Sequence, residues 1–273
     1  MYASTKLDDG IRYLSTHDNS YIRYFRGHTG RVTSLSLCPS NDTFLSASLD
    51  HTVKLWDLRS SSAQGNLNLH GATLTAYDPS ATVIAVASPP TQSLLLYDLR
   101  NFDKPPFATF DLHDIERRYA HSHGQPQGEG WTSLEFSNNG KYILIGTSGP
   151  GHYLLDAFDG ELKAYLHRPQ GPAPFPTQVN AKDGSPARHD QSGLQGDACF
   201  SPDGRYVISA SGQAGLLVWD TQGDNRRGDG VVLPLTDLPG PKISTVVGYN
   251  PRHNMIASAG SEVVIWLPDA DLQ

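Results

Sequence analysis

Little in this 273-residue sequence favours the chemistries that are easiest to read from residue types. Cysteine is nearly absent, with Cys38 and Cys199 the only two. Two isolated cysteines build neither a disulfide framework nor a zinc cage, which points to a reducing compartment. Both sit in apolar runs, Leu37-Cys38-Pro39 and Ala198-Cys199-Phe200, where buried, inert thiols are expected. Charged residues are scarce at 18%, and the formal net charge is −7. That balance helps solubility and argues against a broad basic face for duplex DNA. No apolar run approaches the ~18 residues of a membrane span, and the stretch Met1–Asp9 lacks the apolar core of a secretory signal. No phosphate-cradling loop is found, because Gly149-Pro150-Gly151 has no following Lys and helix. What the sequence does have is turn formers, 26 Gly and 19 Pro, without the triplet period of collagen. So much Gly and Pro disfavours a long coiled coil and suggests many short strands.

Read against itself, the chain repeats. Val32–Arg59 holds an alternating apolar run, a Pro-Ser-Asn-Asp turn, a second run ending Ser46-Ala47-Ser48, a turn at Asp50, and a third run closing on Trp56-Asp57. The same order returns with closing pairs Tyr97-Asp98, Leu155-Asp156, Trp219-Asp220 and Trp266-Leu267. The anchors at 56, 97, 155, 219 and 266 lie 41, 58, 64 and 47 residues apart. Period-2 alternation inside each run predicts half-buried or buried antiparallel strands. Gly27-His28 supplies a Gly-His pair, with His28 lying 28 residues before Trp56. His28, a hydroxyl from Ser46 or Ser48, Asp50 and Trp56 are predicted to form a hydrogen-bond chain across one repeat. Ser46 and Ser48 lie two apart and share a strand face, so either can serve. A catalytic Ser/His/Asp reading of the same residues is the sharper alternative, but a structural network accounts for them without chemistry.

These features identify the chain as a member of the WD40-repeat class, whose ~40–45-residue units carry a GH…WD signature and form four-stranded propeller blades. The resemblance implies an all-β propeller as a single domain over 1–273. Its parts are a partial repeat at 1–26 and repeats at about 27–69, 70–110, 131–166, 197–235 and 242–267. Loop insertions fall at 111–130 and 168–196. Leu7–Leu14 aligns with Leu49–Trp56, so the first unit is expected to lack its initial strand, and the last is expected to lack its outer strand.

More specific stretches are Ile11–His28 (IRYLSTHDNSYIRYFRGH), Leu96–Phe110 (LYDLRNFDKPPFATF), Leu134–Thr147, Leu154–Gly160 and Val263–Asp269. Together they resemble the small WD-repeat subunit shared by the COMPASS histone lysine methyltransferase complex and the mRNA cleavage-and-polyadenylation factor with its associated phosphatase. The resemblance implies a seven-bladed, non-catalytic nuclear scaffold. It would hold the catalytic methyltransferase subunit through that subunit's N-terminal region. It would also contact cleavage-and-polyadenylation and phosphatase subunits and link them to the phosphorylated RNA polymerase II tail. A generic adaptor, such as a ubiquitin-ligase substrate receptor, is the alternative, although no segment supplies its extra helical box. No catalytic residue, cofactor, metal, direct nucleic-acid or membrane contact is expected.

Partner-binding residues are expected on loops of the GH-bearing face. The candidates are Arg31 after the GH pair, His51 beside the Asp50 turn, Trp131 at the start of a repeat, and His152 and Gln213 in inter-strand turns. For Trp131 a buried position opening an inner strand is the alternative. His113, His121 and His123, with Asp114 and Glu116, raise a zinc site in the first insertion, but their spacing fixes no tetrahedral geometry. Arg117-Arg118 and Arg226-Arg227 are basic pairs of the kind that hold phosphate bidentately, read here as solvated charge.

Overall fold

Short apolar strands joined by turns, several of Asx type, make up most of the described residues. The computed structural model describes residues 2–3, 10–71, 73–120, 130–169, 197–210, 214–223, 228 and 230–268. It divides into two compact units: Met1–Glu129 with Leu134–Phe136 and Ala157–Gly160, and the remainder.

The first unit opens with β1 (Tyr2–Ala3), β2 (Ile11–Leu14) and β3 (Tyr21–Phe25), hydrogen-bonded in that order. A four-stranded meander follows: β4 (Val32–Leu37), β5 (Thr43–Ser48), β6 (Thr52–Asp57) and β7 (Ala63–Asn68). A second holds β8 (Leu74–Tyr77), β9 (Val83–Ser88), β10 (Ser93–Asp98) and β11 (Ala108–Asp111). All these pairings are antiparallel. The turns explain the strand ends. Asn41 accepts the Thr43 amide at 3.0 Å, and Asp78 accepts the Ser80 amide at 3.0 Å, each reversing the chain between strands. Sheets pack through their apolar faces. Ile11 and Phe25 meet Val32, Phe44 and Trp56 in one cluster; Leu45, Val53, Tyr77, Ile84, Val86 and Tyr97 form the next.

Along the chain follow β12 (Trp131–Phe136), whose first half only is counted in the second unit, then β13 (Tyr142–Thr147), β14 (Gly151–Asp156) and β15 (Leu162–His167). After these come β16 (Ala198–Phe200), β17 (Tyr206–Ala210), β18 (Ala214–Asp220), β19 (Val231–Val232), β20 (Thr236–Asn250), β21 (Met255–Gly260) and β22 (Val263–Trp266). The 15-residue β20 serves twice: its start pairs with β18 and its end pairs with β21. Leu144, Leu154, Leu166, Phe200, Val207, Trp219 and Val232 make the core here.

Two boundaries depart from expectation. The repeat drawn at 197–235 gets its outer strand from beyond residue 235, where Thr236–Pro239 pair with Val218–Gly215. The Val231–Val232 pair instead runs parallel to Tyr165–Leu166 of β15, because Val232 fills the core under Leu144, Leu154 and Leu166. The insertion at 111–130 is likewise not loop throughout. β11 reaches Asp111, and helix α1 (His113–Ala120) follows. Asp111 accepts the His113 amide at 2.9 Å as a cap, with acidic Asp114 and Glu116 in the first turn and Arg117 and Arg118 in the last. Of the insertion at 168–196, only Arg168 and Pro169 lie among the described residues.

Candidate functional site

The GH-to-WD network forms, and it runs through one serine. The Trp56 indole N–H donates to Ser46 Oγ at 2.8 Å, and Ser46 Oγ lies 2.7 Å from His28 Nε2. His28 Nδ1 lies 2.9 Å from Asp50 Oδ2. The partners set the direction: Asp50 only accepts, so His28 donates from Nδ1, and Ser46 donates its hydroxyl to Nε2. Asp50 is held further by the Thr29 amide at 2.9 Å, the Thr52 amide at 3.0 Å and the Thr52 hydroxyl at 2.6 Å. Gly27 lies close beside this chain: a Cβ there would sit 3.2 Å from Trp56 Cη2, so the indole would have to give by a few tenths of an ångström.

Ser48 does not take the alternative role. Its hydroxyl donates to Gly30 O at 2.9 Å and its Oγ accepts the Asp50 amide at 3.2 Å, shaping the turn. The electrostatics are those of a closed structural network. Burial holds the His28 imidazole below its ordinary value, although Asp50 pulls the other way. Burial also opposes charge on Asp50, yet the Thr52 hydroxyl, the Thr29 amide and His28 outweigh it and keep the carboxylate ionised well below the usual range. Ser46 is fully buried between Trp56 and His28. Its oxygen is enclosed by its two partners and is not presented to solvent as a nucleophile.

A second network has no counterpart in the sequence pattern. The sequence places His152 in an inter-strand turn, accessible to a partner; in the structure it is the second residue of β14 and fully buried. Its Nδ1 accepts the Thr147 amide at 3.0 Å, so Nε2 carries the proton and donates to Ser209 Oγ at 2.8 Å. The imidazole stands edge-on to Trp219, ring centroids 5.8 Å apart. Ser209 and Trp219 occupy the same places in β17 and β18 as Ser46 and Trp56 in β5 and β6. The histidine here comes from an inner position of another strand rather than from a GH pair, and Trp219 donates to His167 O at 3.2 Å. Burial, and secondarily the Arg168 charge, press the His152 value down to about 3. Arg168 is itself buried, donating to the carbonyls of Ala210, Thr147 and Gly149. In the last sheet the motif shrinks to Trp266 donating to Ser258 Oγ at 3.0 Å, with Ser244 donating to the same oxygen at 3.0 Å.

The remaining candidates separate by exposure. Arg31 and His51 are exposed. His51 adopts a left-handed φ of 66°, and its Nδ1 accepts the Gly71 amide at 3.0 Å. Trp131 opens β12 and is buried, as the inner-strand reading had it, so it offers no accessible anchor. Gln213 lies outside the described residues, as do His121, His123, Arg226 and Arg227. His113 and Glu116 face Gln92 from α1: the Gln92 amide donates to Glu116 Oε2 at 2.7 Å, and its oxygen bonds His113 Nδ1. Among the described residues no His, Cys, Asp and Glu converge as a metal site.

Antiparallel sheets in series, one carrying the full Trp56–Ser46–His28–Asp50 chain and a later pair, Trp266 and Ser258, keeping its remnant, define an all-β WD40-repeat protein of the propeller class. The family model described as WD domain, G-beta repeat, matches residues 19–57 and 188–220. WD repeat-containing protein 82 of Drosophila melanogaster is 40% identical over 99% of this chain and 74% of its own length. COMPASS component SWD2 of Saccharomyces cerevisiae is 32% identical over 98% of the chain and 74% of its own. Set1 complex component swd2 of Schizosaccharomyces pombe is 30% identical over 97% and 76%. The chain belongs to the WD-repeat family of these proteins.

Proposed function

We propose that this chain is a non-catalytic, nuclear scaffold subunit of a Set1-type (COMPASS) histone lysine methyltransferase complex. The observation that carries the reading is the near-full-length likeness to two relatives named for that complex. The site supports it physically. The polar residues most suggestive of catalysis, Ser46, His28 and Asp50, spend their hydrogen bonds on one another and on Trp56 inside packed sheets. A scaffold of this kind presents loops from rigid strands. Arg31 and His51, exposed next to the His28–Asp50 network, are the partner-contacting residues of choice. The finer reading is that the chain grips the N-terminal region of the catalytic subunit. In a second assembly it serves mRNA 3'-end processing and termination, together with phosphatase subunits and the phosphorylated RNA polymerase II tail.

Affinity purification with mass spectrometry tests the core reading. Recovery of the methyltransferase catalytic subunit is expected, and an Arg31→Glu, His51→Asn double variant should reduce it with little change in melting temperature, because asparagine tolerates the left-handed φ at 51. Recovery of ubiquitin-ligase components in its place would overturn the proposal. For the finer reading, titration with phosphorylated and unmodified polymerase-tail peptides should show binding of the phosphorylated form alone.

A further inference from the structure

The β2–β3 hairpin carries a surface that the WD40 framework does not require. Within residues 10–31 there are four arginines, Arg12, Arg23, Arg26 and Arg31, against one acid, Asp18, in a chain whose net charge is −7. The same segment is rich in tyrosine. A β-bulge decides which way those rings point. Arg12 pairs with Tyr24 and Leu14 pairs with Tyr21, while one extra residue is taken up between them on β3. Arg12 and Leu14 are two apart on β2 and share a face, so Tyr21 and Tyr24, three apart in sequence, share it as well. Their ring centroids lie 5.4 Å apart. Arg12 sits 5.9 Å from the centroids of both rings, and Arg26 sits 5.9 Å from that of Tyr24. The opposite face of the hairpin, Ile11 with Phe25, is committed to the core.

The outward face is left open: Tyr21 is 46% exposed and Tyr24 is 40% exposed, with Ile22 and Arg26 exposed beside them. Two adjacent tyrosines with guanidiniums on their faces combine rigid aromatic area with cationic donors, the composition that dominates protein-binding hot spots. β3 is also the outer strand of its sheet, so an extended chain can lie along it.

We propose that this hairpin face docks an acidic protein segment, with an Asp or Glu carboxylate on the exposed Arg26 and apolar side chains on Tyr21, Ile22 and Tyr24. Charge complementarity selects that occupant. The patch is positive within an acidic chain, which steers an acidic segment to it and repels one from the rest of the surface. A nucleic acid fits less well, because its affinity grows with the number of phosphates neutralised over a long basic track, and this patch is short. The surface does not depend on which assembly the protein serves.

Fluorescence anisotropy of the full chain with a labelled peptide of alternating Glu and Leu tests the proposal. The companion probes are an alternating Lys-Leu peptide, a phosphoserine-Leu peptide and oligouridylate RNA. Saturable, salt-sensitive binding of the Glu-Leu peptide is expected, with none of the Lys-Leu peptide. Arg26→Glu, a surface change, and Tyr24→Ala should each raise Kd about tenfold, with unchanged melting for Arg26→Glu. Failure of the Glu-Leu peptide to bind would overturn the proposal, as would equal binding of the Lys-Leu peptide. Binding of the RNA or the phosphoserine peptide alone, or affinity undiminished in the Arg26→Glu variant, would do the same.

Discussion

At the scale of single residues, the difference between Ser46 and Ser48 is a matter of which hydroxyl meets the tryptophan. Ser46→Ala leaves the Trp56 N–H and His28 Nε2 without their shared partner inside a packed core. Two orphaned buried groups predict a loss of about 2–4 kcal/mol, read from denaturant midpoints, whereas Ser48→Ala should lose about 1 kcal/mol. The two buried histidines set the acid side of stability. Both have folded values below the ordinary 6.5, so their neutral forms are the native ones. As pH falls below ~6.5 the unfolded chain binds protons that the folded chain refuses, and stability is lost until the folded values are reached. For His152, whose folded value is about 3, the loss between pH 6.5 and 5 is of order 2 kcal/mol. His152→Gln, which cannot titrate, should show a shallower fall in the unfolding midpoint over that interval. Asp50 acts lower: its folded value is depressed, so its contribution is full above ~4 and fades only as pH drops further toward the folded value.

At the scale of elements, α1 is legible in part. The Asp111 that accepts its first amide, its acidic first turn and its basic last turn are all in the sequence. The histidines of this stretch suggest a metal loop, yet His113 is the first residue of the helix and bonds Gln92. What ties α1 down could not be read, because Gln92 lies 24 residues before Glu116 and nothing in the pattern pairs them. Glu116→Ala removes the acceptor of the Gln92 amide, so trypsin should cut after Arg117 and Arg118 faster than in the unmodified protein. An unchanged cleavage rate would mean that the His113–Gln92 bond and the buried Leu112 and Tyr119 suffice to hold the helix. β20 illustrates the converse. Its outer and inner halves belong to consecutive repeats, and the strand runs on through residues 240–241.

At the scale of the whole molecule, burial is uneven across the sheets. Along β22, Val263 and Ile265 alternate on one face and are 73% and 61% exposed; Leu267 just beyond is also exposed. Ala257 of β21 pairs with Ile265, and Ala259 pairs with Val263, extending the apolar strip across the sheet. β22 is also an edge strand, and an exposed apolar edge invites association. Ile265→Lys should lower the concentration-dependent light scattering of the 273-residue chain while leaving its melting temperature within a degree or two. The sequence alone determined the repeat, the strand alternation and the tetrad's residue types, because period and turn chemistry act within a few residues of chain. Only the tertiary structure decided that His152 is core, that Ser46 rather than Ser48 meets Trp56, and that a bulge turns Tyr21 and Tyr24 to the same side. Those outcomes depend on which strands become neighbours, and burial between neighbours is not encoded in any local pattern.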